Sequence, residues 1–265
     1  MKSLIPSSVL RAVSGIFYGW HGNYSSWDEA RKRCSGYDSG VILEKVKSSM
    51  LLVKDGSYPY ERDSVLFTEI QYSSPLLASL MWIAAKNAGK LHVLDFGGSL
   101  GSTYYQNKKF LDSLHDVMWF IVEQPHFVNT GKEHFEEDKL KFFYSVEECL
   151  DFTSIDVVLL SSVLQYLEKP FNIIDKLKSK GISYILIDRT PFTKGKDRIT
   201  VQKVNPWIYK ASYPCWFFNK ERFIEEFIRD YKMIFEFDAL DKANIRSEFK
   251  GYLFERCIGH DSYTG

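Results

Sequence analysis

Cysteine is scarce: Cys34, Cys149, Cys215 and Cys257 are the whole complement of the 265 residues. No two form a CxxC pair, and none joins histidines at zinc-binding spacing. The pattern excludes a disulfide-stapled module and a structural zinc site, and it points to free thiols in a reducing compartment. Net charge is missing as well. The 34 Lys and Arg match the 34 Asp and Glu, and the isoelectric point is near 7.0. A whole-protein electrostatic attraction to nucleic acid or to a membrane surface is therefore excluded. No apolar run approaches the roughly 18 residues of a membrane span. The apolar segment within Met1–Val13 is too short for a signal peptide and is interrupted by Arg11. A cytoplasmic chain with metal-independent chemistry is expected. A true GxGxxG fingerprint is also lacking, which argues against a nicotinamide dinucleotide.

What is present begins with glycine, serine and tyrosine over residues 1–66. A capping box at Ser26 and Glu29 predicts a helix from Trp27, and Leu43, Val46, Met50 and Val53 mark another over 41–53. The region reads as a helical N-terminal cap or lid on a larger domain over 67–265. There, 75–88 suits a buried helix with Pro75 in its first turn. Strand-like runs at 91–96, 117–123, 140–144, 155–161 and 182–188 then alternate with helical stretches near 101–114, 126–136, 146–150 and 163–179. Short apolar runs separated by helices predict a parallel sheet covered on both faces. After an amphipathic helix over 219–230, the runs 231–238 and 251–257 are too close for a crossover helix and predict an antiparallel hairpin. The expected fold is α/β and Rossmann-like, with a seven-stranded, mostly parallel sheet of the class I methyltransferase type.

The segment Val93-Leu94-Asp95-Phe96-Gly97-Gly98-Ser99-Leu100-Gly101 carries the strongest functional signal. Gly97, Gly98 and Gly101 suit a sharp strand-to-helix turn that lets backbone approach a ligand, with helix N–H donors beyond it. Asp95 takes the place of the first glycine of a nicotinamide fingerprint. An anion there would repel a pyrophosphate, but it suits the cationic methionine end of S-adenosylmethionine. Glu123, 22 residues beyond Gly101, ends the next strand and can accept both ribose hydroxyls. Gln124 flanks the adenine in this reading. Tyr144 and Ser145 are either adenine contacts or a plain turn. Ser161 and Ser162 fall at the carboxyl end of the fourth strand, where ligands of open parallel sheets bind. Arg62 either grips the methionine carboxylate as a fork or pairs with Glu61 or Asp63 at the surface.

The segments Gly22–Ala30, Tyr60–Phe67, Leu94–Gly101, Ser161–Leu167 and Ile187–Phe192 resemble a family of bacterial methyltransferases often encoded in surface-polysaccharide (capsule or O-antigen) gene clusters. The resemblance covers nearly the whole chain. It implies the class I fold and S-adenosylmethionine as donor, and leaves the acceptor open. The glycine turn departs from the generic GxGxG by reading Gly-Gly-x-x-Gly.

On the acceptor side, Asp188 ends the fifth strand and is either a general base or a structural partner of Arg189. His21 lies in an aromatic stretch (Phe17, Tyr18, Trp20, Tyr24) and is a second candidate base or an incidental histidine. The stretch from Thr190 to Phe218 reads as a long loop carrying Lys194, Lys196, Arg198 and Lys203, then Trp207, Tyr209, Tyr213, Trp216 and Phe217. It either holds a phosphorylated or nucleotide-linked sugar or is a solvated loop pinned by core aromatics. Tyr24, Arg189, Arg198, Tyr213 and Trp216 are the candidate acceptor contacts. Two other classes compete with a methyltransferase. One is a nicotinamide-dependent sugar oxidoreductase or epimerase, which would want GxGxxG and a helical Tyr-x-x-x-Lys pair, and neither is expected here. The other is a non-catalytic cofactor-binding subunit.

Overall fold

The computed structural model describes residues 18–35 and 39–257; the readings made on Met1–Val13 and on Phe17 fall outside them. Strand β1 (Gly19–Tyr24) comes first, followed by α1 (Trp27–Arg31), α2 (Ser39–Lys54) and a hairpin of β2 (Tyr60–Arg62) and β3 (Val65–Phe67). Ser26 caps α1 as the capping box predicts, its hydroxyl accepting from the Glu29 N–H at 3.2 Å. Next come α3 (Ser74–Lys86), β4 (Lys90–Phe96), α4 (Ser102–Leu111), β5 (Asp116–Val122), α5 (Pro125–His134), β6 (Leu140–Phe143), α6 (Val146–Phe152) and β7 (Val157–Ser161). A short 3-10 turn over 164–166 leads to α7 (Pro170–Ser179) and β8 (Tyr184–Thr193). The chain ends through β9 (Arg198–Lys203), β10 (Ser212–Asn219), α8 (Lys220–Glu225), β11 (Tyr231–Asp238) and β12 (Glu248–Arg256).

Strands β6, β5, β4, β7 and β8 lie side by side, all parallel. Antiparallel β12 flanks β8, and β11 pairs antiparallel with β12. Seven strands in this order, with β12 alone running against the rest, form the expected Rossmann-like sheet of class I methyltransferases. The chain winds outward one way through β4, β5 and β6, then the other way through β7 and β8. The switch point therefore lies between β4 and β7, where such sheets bind ligands. Both faces are buried, so successive strand residues enter opposite cores. Leu91, Val93, Leu159 and Leu186 pack in one core, while Leu94, Val158, Leu160, Ile185 and Ile187 pack in the other.

The structure corrects three readings. The N-terminal region is not purely helical: β1 pairs with β9, and 60–67 is a hairpin. Its α2 places Ile42, Val46 and Met50 in the same core as α3 and the sheet. The stretch after β8 is not a loop either. β8 continues to Thr193, and β10, β9 and β1 add three strands beyond it, antiparallel among themselves. Ile199 and Val201 alternate with polar residues in β9, a strand signal outweighed by the flanking lysines and glycine. The expected helices 163–179 and 219–230 are both shorter. Pro170 disfavours helix at the residue before it, so α7 begins there. Beyond α8 the chain turns to lay Phe227 flat on Phe254, ring centroids 4.4 Å apart.

Candidate active site

A cavity of about 1020 Å³ opens at the switch point. That is at the upper end of the ~300–1,000 Å³ of small-molecule sites, enough for two ligands together. Its walls are the glycine turn, the ends of β5, β6, β7 and β8, the β2–β3 hairpin, and parts of β1, β9, β10 and the β11–β12 connection.

The glycine turn is packed too closely on its neighbours to carry side chains. Gly97 has φ +75°, and a Cβ there would come within 2.5 Å of Val163 Cγ2. A Cβ on Gly98 would come within 2.5 Å of the Asp95 carboxylate. Gly101 does not line the cavity; with φ +98° it turns the chain into α4 and leaves that helix without a side-chain cap. Asp95 is buried beneath Gly98, where its Oδ2 accepts from Trp119 Nε1 at 3.0 Å. Burial pushes its carboxyl up to about 7, against the Trp119 hydrogen bond. Glu123, half-buried just past β5, accepts from the Gln124 N–H through Oε2 at 2.7 Å. Its pKa is raised by burial, opposed by the backbone N–H groups of Gln124 and Ser99.

Arg62, Gln124, Tyr144, Ser145, Ser161 and Ser162 also line the cavity. Arg62 Nη1 is buried without a hydrogen-bond partner, so it is not the surface ion pair of the alternative reading. Ser145 caps α6, its hydroxyl accepting from Glu148 N at 3.1 Å, and Tyr144 donates to Asn129 Oδ1 at 2.7 Å. The neighbouring Glu61 was missed: it is buried, takes the Ser102 hydroxyl at 2.6 Å, and is pushed by burial up to about 7.

Asp188 is buried, with Ser161 donating to Oδ2 at a long 3.5 Å and no partner on Oδ1. Burial raises it to about 6. Between Ile187 and Thr190 the β8–β12 register slips, β8 carrying an extra residue, and Arg189 has φ +53°. This bulge re-aims the strand at the cavity. Arg189 is not free for a ligand as expected. Nε donates to Asp241 Oδ2 at 2.7 Å and Nη2 to Asp63 Oδ2 at 2.9 Å. Asp63 and Asp241 were both missed, because neither stands near Arg189 in sequence. Six described non-glycine residues have left-handed backbone, and Asp63, Ser64, Ser99, Ser162 and Arg189, all but one of them, line this cavity. Such strain concentrates where function over-determines the backbone.

Four other candidates do not reach the cavity. Trp20 lines it, so its strand neighbour His21 faces the opposite side of β1. Tyr24 packs against the cluster of Trp27, Ala30, Ile199 and Val201, and Trp216 stacks on Trp27 while donating to the Leu167 carbonyl at 3.0 Å. Arg198 spends Nε and Nη2 on the Gly22 carbonyl. Tyr213 does line the cavity, with Tyr166, Tyr209, Gln202 and Phe249. Against the expectation that no such pair exists, α4 carries the Tyr-x-x-x-Lys spacing twice, at Tyr104/Lys108 and Tyr105/Lys109, but none of the four residues lines the cavity. That geometry removes the support for a nicotinamide-dependent oxidoreductase.

No protein-family model and no curated protein matches the chain. Solved structures with a similar arrangement include magnesium protoporphyrin IX methyltransferase from Synechocystis PCC 6803 with bound S-adenosylhomocysteine. It is 13% identical over 83% of this chain and 100% of that one, with a TM-score of 0.49. The N-terminal domain of EvdMO1, solved with S-adenosylhomocysteine and D-fucose, is 12% identical over 84% and 98%, TM-score 0.47. The N-methyltransferase NodS from Bradyrhizobium japonicum WM9 is 12% identical over 70% and 87%, TM-score 0.43. The fold assignment rests on the strand order itself.

Proposed function

We propose that the chain is an S-adenosylmethionine-dependent methyltransferase acting on a small, sugar-like acceptor, of the kind used in surface-polysaccharide assembly. The observation that carries this reading is the shared cavity. A glycine turn, a strand-end acid, a guanidinium whose buried Nη1 has no partner and a buried carboxylate whose Oδ1 has none all line it.

The residues fit the donor. Gly97 and Gly98 present backbone without side chains to the cavity, Glu123 accepts ribose hydroxyls, and Arg62 Nη1 takes the methionine carboxylate. Bound there, S-adenosylmethionine supplies an electrophilic methyl group on a cationic sulfur. The chain's own part is positioning and proton removal. The walls of the cavity align the two reactants, an effect worth about 7–11 kcal/mol when the geometry is near attack. Asp188, raised to about 6, is ionised at neutral pH and takes the proton of the acceptor group. The carriers of the phosphorylated-acceptor reading lie elsewhere: Lys194, Lys196, Arg198 and Lys203 are not cavity residues.

The test is Asp188→Asn, assayed as S-adenosylhomocysteine release over a panel of hydroxyl- and amine-bearing sugars. Transfer is expected to fall by roughly 10²–10⁴-fold, the usual share of a general base, with S-adenosylhomocysteine affinity unchanged. Full activity in that variant would remove Asp188 from the chemistry.

A further inference from the structure

We infer that the acceptor end of this cavity recognises a ring that carries an amino group and no phosphate or carboxylate. The inference rests on the methyltransferase reading only in taking that end as the acceptor's place. The charges decide it. Arg189 is held between Asp63 and Asp241, and Lys176 is paired with Glu147 at 2.8 Å. Of the cavity's three Lys and Arg side chains, that leaves Arg62 to hold the donor carboxylate. The carboxylates of Asp63, Asp188 and Asp241 outnumber the single Arg189 among them, so an anionic acceptor would enter a field of its own sign. A cation is favoured there.

Asp188 makes this more than a cluster of acids. It is 2% exposed, lines the cavity, and its Oδ1 has no partner among the described residues. A buried carboxylate oxygen with an open lone pair wants a donor, and an ammonium N–H supplies one with charge. The same cavity also has an aromatic wall. Tyr166 and Tyr213 meet edge to face at 5.2 Å, and Tyr209 is hydrogen-bonded to Tyr213. Aromatic faces attract cations as well as rings. Tyr166 spends its hydroxyl proton on Gln202 Oε1 at 2.8 Å, which keeps the tyrosine ring fixed in the wall.

Saturation-transfer NMR on the S-adenosylhomocysteine-saturated protein tests this with one matched set: benzylamine, benzyl alcohol and benzyl phosphate. Benzylamine is expected to give the strongest signal, weakened about tenfold in Asp188→Asn and lost in Tyr213→Ala, while benzyl phosphate gives none. A Tyr213-dependent signal from benzyl phosphate equal to that of benzylamine would overturn the inference. So would equal binding of benzylamine to wild type and Asp188→Asn, or no binding by any of the three. Failure of the donor reading shows separately, as no titration by S-adenosylhomocysteine. The same set is then run on the protein alone, and the charge preference is read there.

Discussion

At the scale of single residues, burial sets the behaviour of the site. Asp188, raised to about 6, works as a base only when ionised. The transfer rate is therefore expected to rise with pH through about 6 and level off above it, and the rise should vanish in Asp188→Asn. A rate that falls across that interval in the wild type would contradict the assignment. Asp95 has a different consequence. Its carboxyl, pushed up to about 7, keeps a proton in the folded chain that the unfolded chain releases near 4. Between those values the folded state binds more protons, so stability falls as pH rises from about 4 to about 7 and is level beyond. Melting curves at pH 5 and 7.5 measure this. The difference is expected to shrink in Asp95→Asn, which can still accept from Trp119, and an unchanged difference would sink the claim.

At the scale of elements, the glycine turn and the added strands divide the work. Gly97→Ala forces a side chain into φ +75° and against Val163. A loss of at least about 1 kcal/mol is expected in urea denaturation, together with weaker S-adenosylhomocysteine binding. Strand β9 lies between β1 and β10, and Thr200 is paired with Cys215 there. Thr200→Pro removes a ladder donor and is expected to abolish transfer while leaving the donor titration intact. Much of this was legible in advance. The strand runs from Leu91 to Asp188, the glycine turn, Glu123 and Asp188 follow from period and local chemistry. The β1–β9–β10 strands were not, because Gly19 and Gly22 break up β1, Lys194, Gly195, Lys196 and Lys203 flank β9, and Pro214 sits inside β10. Asp63 and Asp241 were illegible for another reason. An ion pair across 126 and 52 residues leaves no local trace. His21 and Trp216 failed as site residues because an aromatic-rich stretch gives composition but not which face each side chain takes.

At the scale of the whole molecule, the cavity is assembled from both parts of the chain. Residues before 67 supply Trp20, Tyr60, Glu61, Arg62 and Asp63 to its walls. They also supply Ile42, Leu43, Val46 and Met50 to the core. Burying such side chains contributes about 1.5–3 kcal/mol each, against a typical net stability of about 5–15 kcal/mol. A chain starting at residue 67 is therefore expected to show no cooperative unfolding transition and no donor binding. A sharp transition with retained binding would make the N-terminal part a dispensable lid.

The most direct test of the donor site is calorimetric titration with S-adenosylhomocysteine, with NAD⁺ run alongside, on the wild type and on Arg62→Ala and Glu123→Ala. Micromolar binding of S-adenosylhomocysteine, weakened roughly 10–100-fold in each variant as the loss of a charged hydrogen bond implies, is the expected result, with no heat from NAD⁺. Binding of NAD⁺ alone, or S-adenosylhomocysteine affinity untouched by both substitutions, would contradict it.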